Sequence, residues 1–104
     1  MVTKPISELW RESATRWVEL EAAADLLEST KSAVLAQLMS KCGDMPVSKS
    51  EMTVKASPQW KEHVERIAKA REAANLAKVE VDYLRMRHSE AMSKEATDRL
   101  EAKL

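Results

Sequence analysis

Glycine occurs once in this chain of 104 residues, proline three times, cysteine once and phenylalanine not at all. Each scarcity excludes something. Sheets need turn residues and β-branched or aromatic side chains, so a β-sandwich or barrel is ruled out. A single glycine cannot build a phosphate-cradling GxGxxG or Walker loop. A lone cysteine, Cys42, makes neither an internal disulfide nor a cysteine-based zinc site, and fits a reducing cytoplasm. Apolar runs are short, as in Ala22-Ala23-Ala24 before Asp25, so no membrane span is expected. The first residues lack the apolar core of a secretory signal. Net charge is also missing: 17 basic and 17 acidic side chains cancel. At 33% of the chain and evenly mixed, they point to solvated helix faces.

What remains is helical periodicity. Ser7 reads as an N-cap, and no Gly or Pro follows between Glu8 and Cys42 before Gly43 closes the segment. A single helix over about 8–42 is expected, roughly 50 Å long. Its apolar stripe is Trp10, Ala14, Trp17, Leu20, Ala24, Leu27, Val34 and Leu38, interrupted by Lys31. Leu9, Val18, Ala22, Leu26, Ala33 and Ala36 form a weaker second stripe. Residues 43–57 read as an elbow. Ser48 to Glu51 fits a capping box for a short helix over about 49–55. Ser57-Pro58 then starts a last helix over about 58–92, extending as far as 103.

That last helix has a heptad pattern. Trp60, Ile67, Ala74, Val81 and His88 occupy one core position, and His63, Ala70, Ala77, Leu84 and Ala91 the other. Past Met92 the pattern weakens, with Glu95 and Asp98 in core slots. The expected fold is all-α: a single domain formed by a long antiparallel two-helix, coiled-coil-like hairpin with a short helix at the elbow. A lone hairpin buries one stripe per helix, and each helix here has more. A homo-oligomer is therefore expected, held through Trp10, Trp17, Leu76, Val79 and Tyr83.

No catalytic signature emerges. His63 and His88 lie about 37 Å apart along one helix and read as seam residues. No Glu-x-x-His pattern of a carboxylate-bridged metal site is present. Neither a metal nor a cofactor is expected, and the chain does not read as an enzyme. Cys42 falls at the negative end of the first helix dipole, a poor place for a nucleophilic thiolate. The tryptophans read as core or interface anchors, with base stacking as the sharper alternative.

Charge is unevenly placed. Residues 1–45 carry net −2 and residues 46–92 net +2. Between Lys31 and Lys61 the lysines Lys31, Lys41, Lys49, Lys55 and Lys61 face only Asp44 and Glu51. This modest basic zone at the elbow is the candidate phosphate-binding surface, repeated once per subunit in an oligomer. Lys31, within an otherwise apolar stripe, either snorkels, pairs with a carboxylate across the seam, or points at a ligand at the elbow end.

The layout also carries a family resemblance. A long tryptophan-bearing first helix is followed by Lys49-Ser50-Glu51-Met52 and an Ala56-Ser57-Pro58-Gln59-Trp60-Lys61 restart. A long last helix then carries His88-Ser89. Over residues 17–96 this resembles the UvsY recombination mediators of tailed phages. The resemblance implies a helical-hairpin subunit that assembles into a ring-like oligomer in the cytoplasm of a bacterial host. It also implies binding of single-stranded DNA and assistance to a RecA-like recombinase in displacing single-strand-binding protein. The family's basic DNA-contact position matches Lys31, whereas its second basic residue is Ala33 here, leaving Lys41 and Lys49 to supply that charge. The contrasting expectation is a helical structural or protein-interaction module, a phage assembly factor or an inhibitor of a host protein, without DNA affinity.

Overall fold

The computed structural model describes residues 3–104, which contain four helices and no strand. They are α1 (Ile6–Ser29), α2 (Lys31–Ser40), α3 (Val47–Lys55) and α4 (Pro58–Ala102). The molecule is a rod of 84 × 27 × 17 Å. Its long axis follows α4, whose 45 residues span about 68 Å. α1 lies along α4 in the opposite direction: Trp10 meets His88 at one end, and Lys31, just past α1, meets Trp60 at the other.

The seam between them follows the heptad pattern of α4. Trp60, His63, Ala74, Ala77 and Val81 are buried, and Ile67, Ala70, Leu84 and His88 are half-buried. Ala91 is exposed, because α1 begins at Ile6 and has little left to cover it. Ala24 of α1 and Ala74 of α4 are both fully buried. With only methyl groups at these positions, two backbones can approach closely. The buried apolar set is Ala24, Val54, Trp60, Ala74, Ala77 and Val81, and no side chain reaches below 2% exposure other than alanines. Burying a large apolar side chain stabilises by about 1.5–3 kcal/mol. With three such side chains, the core is thin for a chain of this length.

Several boundaries depart from the sequence reading. The helix expected over 8–42 is interrupted at Thr30. Ser29 Oγ donates to Leu26 O at 2.6 Å and Thr30 Oγ1 to Leu27 O at 2.7 Å. Consecutive hydroxyls bonding back to the preceding turn compete with the regular ladder and bend helices. The Thr30 amide accordingly turns to Leu27 O at 3.2 Å, three residues back. Ser7 is not the N-cap of α1. That position is Pro5, whose carbonyl accepts from the Glu8 and Leu9 amides at 3.0 and 3.1 Å. A Lys4–Glu12 ion pair at 2.6 Å and an Arg11–Glu8 pair brace this first turn.

The capping box at Ser48 is likewise not used. Pro46 occupies the N-cap of α3 and its carbonyl accepts from the Ser50 amide at 3.0 Å, so the helix starts at Val47. Pro46 is extended, at ψ 144, as an N-cap residue is, and α3 starts without a side-chain cap. Gly43, at φ +71, ends the first arm as expected. Ser57 caps α4, accepting from the Trp60 amide at 3.3 Å, with Pro58 at the first turn. Beyond Met92 α4 continues to Ala102, although every residue from Ser89 onward is exposed. No Gly or Pro interrupts it, and an i,i+4 pair, Arg99–Glu95 at 3.1 Å, adds local support. No helix among the described residues is long and apolar enough to cross a membrane.

Candidate nucleic-acid interface

The elbow assembles the site. After Gly43 the chain turns into α3, which docks on α2 and the start of α4 through buried Ser50 and Val54. The Ser50 hydroxyl is satisfied locally, donating to Val47 O at 3.0 Å. Ser50 and Val54 are four residues apart and share one face of α3. Lys49 and Lys55 fall on opposite flanks of that face, each about 120° from its centre. Lys55 is thereby turned toward α4, and Lys49 away from it.

Two shallow grooves meet at Trp60. One, of about 510 Å³, is bordered by Lys31, Leu35, Lys55, Trp60 and Val64. The other, of about 530 Å³, shares Lys55, Trp60 and Val64 and adds Lys61 and Glu65. Three of the five elbow lysines therefore rim one continuous surface with an apolar floor. Lys41 borders a neighbouring depression of about 180 Å³ with Cys42, Val54 and Ser57. That depression touches the second groove through Ser57 alone. Lys49 lies outside these surfaces.

The ammonium of Lys31 sits 5.9 Å from the centroid of the Trp60 ring, within cation–π range. Among the described residues Lys31 has no carboxylate partner, in contrast to the seam ion pair weighed from sequence. Lys55 is paired with Glu51 of its own helix at 2.8 Å, half-exposed on both sides. Such a pair holds the side chain weakly and leaves the lysine able to exchange partners. Trp60 retains 8% of its surface, so its ring forms a wall of the groove and does not serve as a stacking platform.

The expected interface residues divide into two groups. Trp10 and Trp17 are half-buried against α4 of their own chain. The Trp10 ring lies 5.3 Å from His88, and Lys78 Nζ lies 5.8 Å from the Trp17 centroid. Leu76, Val79 and Tyr83 face solvent, with Met86 beside them. His63 is buried beside Trp60, ring centroids 6.2 Å apart, and its Nε2 has no hydrogen-bond partner. The described residues contain no cluster of three or more His, Cys, Asp or Glu suited to a metal ion. The Cys42 thiol is half-buried and directed at Leu38 O at 3.6 Å.

One prominent feature went unread in the sequence. Arg71 of α4 reaches three carboxylates of α1: Glu21 at 2.8 Å, Asp25 at 2.7 Å and Glu28 at 2.9 Å. Hydrogen bonds that its guanidinium donates to Glu28 and then Asp25 hold it above its ordinary, already high, pKa. The available signal was the spacing of the acids, steps of four and three that place them on one helix face. It went unused because the register of α4 against α1 decides which cation they meet. The cluster ties α1 to α4 beside the alanine seam.

No protein family, curated protein or solved structure matches the chain.

Proposed function

We propose that the chain is a non-enzymatic DNA-recombination accessory protein that binds single-stranded DNA at the elbow, as in the phage mediators it resembles. The observation that carries this reading is the convergence of Lys31, Lys55 and Lys61 on the surface around Trp60 and Val64. Phosphates take the ammonium groups, and the apolar floor accepts sugar or base edges without sequence preference. Lys41 extends the basic track to one side. Glu51 and Glu65 leave one net positive charge at this surface, so a single copy binds weakly. Affinity comes from coiled-coil-like hairpin subunits pairing through Leu76, Val79 and Tyr83 and presenting their elbows together. The strand is then held extended for a RecA-like recombinase that replaces single-strand-binding protein.

The test is binding of a labelled single strand of ~40 nucleotides by fluorescence anisotropy across a salt series. A strand held by three lysines gives a slope of log affinity against log salt of about −2. No binding at low salt by a folded protein overturns the reading. It would favour the second one, a protein-interaction module, whose supporting observation is the outward apolar face of α4.

A further inference from the structure

α4 carries a second seam opposite the one that holds α1. Leu76, Val79, Tyr83 and Met86 are 63, 65, 46 and 52% exposed. Their spacing of three, four and three residues is that of heptad core positions. The seam with α1 uses Ala74, Ala77, Val81, Leu84 and His88, the other side of the same helix. The outward stripe is about 15 Å long and ends at Glu72 and Glu90. Its surroundings, Glu72, Glu80, Asp82 and Glu90 against Arg87, are net acidic and argue against an anionic membrane surface as occupant.

The flanking charges select both an occupant and an orientation. In a parallel pair, the residue before one core position meets the residue after the next core position of the partner. Asp82 then faces Arg87 of the partner subunit, twice by symmetry, and Asn75 faces Glu80 of the partner subunit. In an antiparallel pair centred on the same stripe, Asp82 faces Asp82 of the partner subunit and Glu80 faces Glu80 of the partner subunit, which is repulsive. Both members of the favourable pair have capacity to spare. Arg87 lies over the Tyr83 ring at 6.0 Å and donates to its hydroxyl at 3.4 Å, without a carboxylate partner among the described residues. Asp82 reaches only Arg85, at 3.8 Å.

We propose that two copies of this chain pair through the outward face of α4 in parallel register, Leu76, Val79, Tyr83 and Met86 each meeting their counterparts. The pairing rests on the self-association part of the reading above and is independent of DNA affinity. Its consequence is that both elbows lie at one end of the pair, with their lysine grooves side by side. Because α4 is already ordered by α1, little helix-forming entropy remains to oppose association.

Disulfide trapping tests the register in a Cys42→Ser background. With Leu76→Cys alone, or Met86→Cys alone, mild oxidation is expected to yield a covalent dimer, since identical positions face each other. An antiparallel pair separates identical positions by about 15 Å, too far to bridge, and links only a mixture of the two variants. That pattern overturns the register while leaving self-association intact. Light scattering tests the pairing itself: the mass is expected to be twice 11.7 kDa and to halve with Val79→Glu at unchanged helix content. A monomer at all concentrations, or an oligomer indifferent to Val79→Glu, overturns it.

Discussion

Lys31 lies 5.9 Å from the Trp60 ring, and this contact joins the start of α2 to the start of α4. It explains how a lysine occupies an apolar stripe: its stem covers the seam and its charge rests on an aromatic face at the groove edge. Removing the ring is therefore expected to affect the site through Lys31. Trp60→Leu, which keeps an apolar wall but no π-face, should weaken strand binding while circular dichroism reports unchanged helix content.

The alanine seam sets the distance between the long helices. Ala74→Leu places a branched side chain where Ala74 is fully buried. Overpacking of this kind costs about 1–3 kcal/mol. In a domain of this size each 1 kcal/mol lowers Tm by roughly 4–8 °C, which a thermal melt resolves. An unchanged Tm would show that the helices separate freely at this point.

Gly43 is required for its backbone and not for space. A Cβ there meets nothing within 4 Å, yet φ is +71. Gly43→Ala is expected to cost about 1 kcal/mol through strain alone. Gly43→Asn should cost less, because asparagine tolerates the left-handed region. Denaturant midpoints of the two variants check the order.

Acid should loosen the start of α1. The Arg11 guanidinium holds the Glu8 carboxyl below its usual value of 4.5. A carboxyl with a lowered folded pKa stabilises above its unfolded value, and that stability is lost as pH falls through the lower, folded one. The protection factors of the Leu9 to Glu12 amides, taken relative to intrinsic exchange at each pH, are expected to fall below about pH 4.5, and Glu8→Gln should remove that dependence.

Much of the architecture is written in local pattern. The heptad positions from Trp60 to Leu84 are all buried or half-buried, and Ser57-Pro58 starts α4 where an N-cap followed by proline must. The missed features depend on competition or on register. Ser29 and Thr30 are ordinary helix residues in the sequence, yet their hydroxyls bond backward where α1 gives way to α2. Pro5 and Pro46 hold the N-cap positions read for Ser7 and Ser48, and both helices start without a side-chain cap. The meeting of Arg71 with Glu21, Asp25 and Glu28 requires knowing how α4 slides along α1. The lysine zone was legible as composition. That Lys31, Lys55 and Lys61 share a surface and Lys49 does not follows only from the docking of α3.

The most direct test of the account compares single-strand binding by two variants at the same salt. Lys31→Ala/Lys55→Ala/Lys61→Ala removes the grouped lysines, and Lys49→Ala removes one elbow charge on the other flank of α3. The triple variant is predicted to lose about tenfold or more in affinity and most of its salt slope, with Lys49→Ala close to wild type. Equal losses per lysine in both would show that only diffuse charge matters, and an unaffected triple variant would contradict the elbow site altogether.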